Sequence, residues 1–128
     1  DQKKIKNIKF NKLKYNENYE FNFKNRQDFL GFGWSHNFGK KGVWTEGELA
    51  FILFGVEKNA NDKTKLHLKF KPYTGNYKQN FELVIYFNEV EKKKINFYNN
   101  NDTMEIIIDL KQKEIQEENI IKFELISF

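Results

Sequence analysis

An all-β fold, a two-sheet antiparallel β-sandwich of jelly-roll type, is predicted by three features of the chain. Apolar and polar residues alternate with period two in run after run, helical periodicity is nearly absent, and short polar turns separate the runs. The segment from Ile5 to Tyr15 supplies one or two strands. Tyr19, Phe21 and Phe23 then alternate with Glu20, Asn22 and Lys24, and Leu49, Phe51 and Leu53 follow Gly47. Leu66, Leu68 and Phe70 alternate with His67, Lys69 and Lys71. That run stops at Pro72, which has no N–H to give a ladder. Phe81 to Phe87 is apolar apart from Glu82 and reads as a central strand covered on both faces. Ile95 with Phe97, Met104 to Leu110, and Ile121 with Phe123 and Leu125 complete the set. The inward residues predicted are Phe51, Leu68, Phe70, Leu83, Ile85, Phe87, Ile107, Phe123 and Leu125.

The connections carry turn chemistry, as in Asn59-Ala60-Asn61-Asp62, Thr74-Gly75-Asn76 and Asn99-Asn100-Asn101-Asp102. Between Leu110 and Glu118 only Ile115 is apolar, which is too thin for an amphipathic helix, so a solvated turn or loop is expected. No repeat and no βαβ alternation with a Gly-rich phosphate loop occurs, which excludes solenoids and nucleotide-binding α/β folds.

The 128 residues predict a single domain over positions 1–128. Only 39% of residues are hydrophobic, but 14 are phenylalanine, so the expected core is small in number and heavy in rings. Cysteine is absent, so no disulfide, thiol chemistry or Cys-based zinc site is available. Of the 22 basic residues only Arg26 is arginine, and the lysines are interleaved with 18 acids. Planar arginine forks dominate base and phosphate recognition, so the net charge of +4 reads as a solvated lysine surface and not as a nucleic-acid interface. No apolar run is long enough to insert this segment in a membrane. The chain opens at Asp1 without an initiating Met, which predicts a domain excised from, or processed out of, a longer chain.

Both tryptophans lie in one aromatic, glycine-rich stretch, Gly33-Trp34-Ser35 followed by Val43-Trp44-Thr45-Glu46-Gly47. Trp34, His36, Asn37, Trp44, Thr45 and Glu46 combine flat rings with planar polar groups. Carbohydrate recognition needs this mixture, because pyranose C–H faces stack on indole while amides and carboxylates bond the hydroxyls. These six residues are the candidate ligand site. As a sugar platform the stretch requires Trp34 to be substantially exposed with its indole face open; in the alternative, Trp44 plugs one end of the sandwich and Trp34 packs against the opposing sheet. Tyr73, Tyr77 and Phe81 form a second aromatic group, read as strand-end packing.

No catalytic residues are assigned. The only histidines are His36 and His67, and His67 sits among lysines on the polar face of its strand. Glu46 and Glu48 lie two apart on one strand face, an arrangement that suits a solvated edge better than the two sides of a sugar ring. No metal site and no cofactor is expected.

The order of Gly33-Trp34-Ser35, a short polar insert, Gly42-Val43-Trp44-Thr45-Glu46-Gly47 and a strand from Glu48 to Phe54 resembles a known family. It is similar to the poorly characterised β-sandwich domain at the C-terminal side of bacterial envelope enzymes, notably phosphoglycerol transferases and certain membrane glycosyltransferases. That family follows a Gly-Trp motif with Gly-x-Trp-Ser/Thr-x-Gly and a strand, and a later strand ends near Asn-Gly. Phe81 to Asn88 matches the later strand, with Glu89 in place of the glycine. The resemblance spans residues 20 to 126 and rests chiefly on the Gly-Trp motif region. It implies a non-catalytic, extracytoplasmic accessory module, partnered by envelope glycan or oligosaccharide and by the catalytic domain of the same polypeptide. The rival function is a structural or protein-interaction module, an adhesion or assembly subunit with the aromatic loop as its interface.

Overall fold

A computed structural model describes residues 10–17, 19, 29–34, 45, 47–57, 61–72, 80–98 and 102–127. In chain order the strands are β1 (Lys12–Leu13), β2 (Leu49–Val56), β3 (Thr64–Phe70), β4 (Asn80–Phe87), β5 (Val90–Tyr98), β6 (Met104–Leu110) and β7 (Glu118–Ser127). They form an all-β sandwich of two sheets, one ordered β1-β2-β7-β4-β5 and the other β3-β6. All pairings are antiparallel except β1 with β2. The pairs nest: the β4·β5 hairpin lies inside β3·β6, which lies inside β2·β7. The chain thus runs as one long antiparallel hairpin, folded over so that β7 also pairs with β4. A jelly roll places eight strands in two sheets of four; the described strands divide five and two.

The core lies between the sheets. Ile52 and Phe54 of β2, Ile85 and Phe87 of β4 and Ile121 of β7 meet Ile106, Ile108 and Leu110 of β6, with Phe29 closing one side. Leu66, Leu68, Phe70, Leu83 and Phe123 pack against this cluster half-buried, and Leu125 is half-buried as well. The other face of the large sheet is apolar at its middle too, since Leu53 and Val84 are fully buried. This explains why β2 and β4 are nearly continuous apolar runs.

Two of the expected inward residues are corrected. Ile107 is 53% exposed. It shares its face with Glu105 and Asp109, and those two charges turn Ile106 and Ile108 to the core instead. Phe51 is only half-buried and alternates with Ile52 and Phe54, which take the core side. Every residue from Leu49 to Phe54 is apolar, so alternation alone could not choose a face. The register of Ile52 on Ile121 and Ala50 on Phe123 makes the choice. The expected strand over Tyr19, Phe21 and Phe23 falls largely outside the described residues.

One end of the sandwich is held by a polar network. β4 and β5 join through Asn88 and Glu89, both left-handed, with φ of 46° and 72°. A two-residue hairpin of the I′ kind needs this of both residues, and the second is usually glycine. The Asn88 side chain fastens the turn. Its Oδ1 accepts from Ile120 N–H at 2.8 Å, and its Nδ2 donates to the Glu114 carbonyl and to Asn119 Oδ1, both at 2.9 Å. Asn119 is completely buried, yet Nδ2 reaches the Gln116 carbonyl at 2.9 Å and Oδ1 accepts from Gln116 N–H at 2.8 Å. The amide is therefore satisfied, as a buried polar group must be.

The expected loop before β7 contains a 3-10 turn, Gln112–Glu114, whose Glu114 carboxylate accepts from Lys111 N–H at 3.0 Å. The same carboxylate forms an ion pair with Lys92 of β5, and both side chains are mostly buried, at 16% and 14% exposure. That burial departs from the solvated character expected of this segment.

Two measurements check these assignments. Ile107→Thr should change unfolding free energy by no more than about 0.5 kcal/mol, whereas Ile108→Ala should cost about 2–5 kcal/mol in denaturant titration. The second concerns pH. Lys92 first, and Lys111 N–H second, hold the Glu114 carboxyl below its ordinary 4.5. A depressed carboxylate contributes stability that is full above its unfolded value and is lost as pH falls through the folded one. The cost of Glu114→Gln should accordingly be largest at neutral pH and shrink as pH drops below 4.5. A cost independent of pH would rule out the ion pair as its source.

Candidate functional site

The Gly-Trp motif sits where the chain runs beside β2. Gly31 N–H donates to the Phe51 carbonyl at 2.9 Å, and Phe51 N–H donates to the Phe32 carbonyl at 3.0 Å. Leu30 bridges Ile52, so residues 30–32 extend the sheet along β2 beyond its short contact with β1.

Gly33 then passes directly over the Leu49–Ala50 backbone. Its φ is +90°, and a Cβ there would fall onto the Leu49 carbonyl oxygen and within 2.6 Å of the Ala50 Cα. Both the conformation and the approach require glycine. The turn at Gly33 aims Trp34 back at the sheet. Its indole N–H donates to the Phe51 carbonyl at 2.8 Å, the same oxygen that accepts from Gly31. A carbonyl has two lone pairs and can serve both. The ring lies edge-on to Phe123 of β7, with centroids 6.2 Å apart and planes at 77°.

Trp34 therefore has its polar atom committed to the backbone and one part of its ring committed to an aromatic contact. It is half-buried and packs against the core cluster. Across from it Thr45 is exposed and forms a β-bridge with Trp34. The bridge joins the two ends of the segment 35–44 at the margin of the sheet. Of the six candidate ligand residues the structure brings Trp34 and Thr45 together; His36, Asn37, Trp44 and Glu46 lie outside the described residues. Glu48 is exposed, and its carbonyl accepts from Leu125 N–H at 2.8 Å, tying the approach to β2 onto β7.

Sequence reasoning missed both partners of Trp34. Alternation placed Phe123 on the inward face, but nothing in the spacing linked it to a tryptophan so far away. The Phe51 carbonyl is main chain and leaves no mark in the sequence. Of the second aromatic group, Phe81 is described: it stacks on Phe97 at 5.7 Å and 19°, the strand-end packing expected of it. Tyr73 and Tyr77 lie outside the described residues. His67 is exposed on β3 opposite Ile107, as its place among lysines predicted.

Among the described residues no three His, Asp or Glu side chains converge as metal ligands. No described helix is long and apolar enough to cross a membrane. No protein-family model, curated protein or solved structure matches the chain.

Substitutions separate the anchor from its surroundings. Gly33→Ala should destabilise the domain by on the order of 3 kcal/mol, the sum of overpacking and a left-handed alanine. Trp34→Phe keeps a ring but drops the N–H and should cost about 1 kcal/mol. Trp34→Ala should cost about 3 kcal/mol, the low end for a core aromatic, because the ring is half-buried. Denaturant unfolding of the three variants gives the order directly.

Proposed function

We propose that this domain is a non-catalytic binding module that presents the segment 35–44 to carbohydrate, as an accessory part of a bacterial cell-envelope glycan-modifying enzyme. One observation carries the reading: the Trp34–Thr45 bridge, with Trp34 fastened to Phe51 and Phe123, pins both ends of that segment to one place on the sheet. A loop closed at its base by a rigid scaffold is a common platform for recognition. The division of labour then follows from chemistry. Trp34 is the anchor, its N–H already in use. Trp44 supplies the stacking ring, and His36, Asn37, Thr45 and Glu46 supply hydrogen bonds to hydroxyls. The resemblance of the motif to the C-terminal domain of envelope phosphoglycerol transferases and membrane glycosyltransferases supports an extracytoplasmic glycan as the ligand. It also supports the catalytic domain of the same polypeptide as the other partner. The nested strand order supports a jelly-roll wrapping of the sandwich.

Affinity from one stacking contact and a few hydrogen bonds on an open surface is modest, about −4 to −6 kcal/mol, or roughly millimolar to high-micromolar. Trp34→Phe leaves Trp44 as the sole indole, so its fluorescence reports on the loop alone. Titration of that variant with envelope oligosaccharides should still change the emission. Trp44→Ala should abolish binding while leaving thermal stability close to that of the native chain. Binding unchanged by Trp44→Ala, or lost only with unfolding, would overturn the proposal. A second reading, a protein-interaction module, is favoured by a separate feature, the outer edge of β3, along which no described strand pairs.

A further inference from the structure

The two-stranded sheet is unevenly covered. On β6 the inward residues Ile106, Ile108 and Leu110 are buried, with 9%, 4% and 4% exposure. On β3 the inward residues Leu66, Leu68 and Phe70 are only half-buried, although they lie directly opposite Ile108, Ile106 and Met104. The inward face of β3 is thus less completely covered than that of β6. Among the described residues no strand pairs with the outer side of β3, which runs beside the half-buried apolar stripe.

The chemistry of a fitting strand can be read from β6, which already pairs with β3. The outward residues of β3 are Lys65, His67 and Lys69, flanked by exposed Lys63 and Lys71. Opposite them β6 offers Asp109, Ile107 and Glu105, and Lys65 bonds Asp109 at 2.5 Å. A strand that suits β3 therefore alternates apolar residues inward with acidic residues outward. A second copy of β3 does not suit it. Antiparallel self-pairing about His67 would set Lys65 against Lys69 on both sides, and like charges directly opposite are destabilising. The edge of β5 differs again. A register shift between Ile85 and Tyr86 interrupts its pairing with β4.

We propose that the outer edge of β3 is an acceptor site for an extended strand of a partner protein with alternating apolar and acidic residues. The strand adds antiparallel to β3 as a third member of the small sheet. Main-chain hydrogen bonds supply the affinity, and side-chain alternation the specificity. Its apolar side chains cover Leu66, Leu68 and Phe70, and its acids meet Lys65 and Lys69. The site uses none of the six candidate carbohydrate-binding residues, so its test is independent of carbohydrate binding.

The probe is a free peptide with the sequence of residues 103–111, which contains all of β6. Added to the isotope-labelled domain, it should shift the amide resonances of residues 64–70 and slow their exchange with solvent, while Ile106 and Ile108 stay protected. A peptide with lysine in place of Glu105 and Asp109 should bind about tenfold more weakly. The doubly substituted chain Lys65→Glu, Lys69→Glu should reverse that preference. Three results would overturn the proposal: no shift over 64–70, equal binding of the two peptides, or exchange of the peptide for β6, seen as lost protection at Ile106 and Ile108.

Discussion

The passage of Gly33 over the Leu49–Ala50 backbone is the constraint on which the candidate site depends. Only a residue without a side chain, in a left-handed conformation, can cross there. Because the chain crosses so closely, residues 30–32 can pair with β2, and the indole that follows lands on a main-chain oxygen of the same strand. Phe51 therefore has two roles: its side chain lies on the outer face of the sheet, and its carbonyl carries the anchor. The Trp34 ring then meets Phe123 on β7, so a local motif is clamped across two strands that are far apart in sequence.

The opposite requirement, satisfaction of buried polar groups, governs another part of the sandwich. Asn119 has no exposure at all and would cost several kcal/mol if left without partners. Asn88 and Gln116 supply those partners, and Asn88 also holds the left-handed turn that a glycine would more commonly make. The turn thus holds its left-handed shape with Glu89 as its second residue. Hydrogen bonding by the first turn residue substitutes for conformational freedom in the second. Lys92 and Glu114 extend the same logic to charge, since each is largely removed from water and each has the other.

Much of the fold was legible because period-two alternation is a direct record of two-faced burial. Met104–Leu110 was read to the residue, and the strand before Pro72 extends only two positions further back than its alternating core. Where alternation fails, the reading fails with it. Leu49 to Phe54 is apolar on both faces because both faces are buried, so the wrong face was assigned to Phe51. Ile107 was misread although the signal was present: the flanking acids Glu105 and Asp109 share its face, and charge outranks a β-branched triplet in deciding which side meets water. The site was legible as a composition, not as a geometry. Gly33 and Trp34 stand out as a pair, yet their partners are a backbone oxygen and a phenylalanine on the last strand. Neither contact has a sequence period.

Trp34 is thus best understood as an anchor, bonded to β2 and packed on β7. On the proposed carbohydrate reading, recognition falls to Trp44, His36, Asn37, Thr45 and Glu46, and Trp34 serves as the anchor. The most direct measurement is hydrogen exchange of the Trp34 indole N–H by nuclear magnetic resonance in the native state. An N–H bonded to the Phe51 carbonyl beside Phe123 should exchange slowly, with protection close to that of the core amides of β2 and β7. Exchange at the rate of a solvent-exposed indole, unaffected by conditions that stabilise the domain, would contradict the anchor and the division of roles built on it.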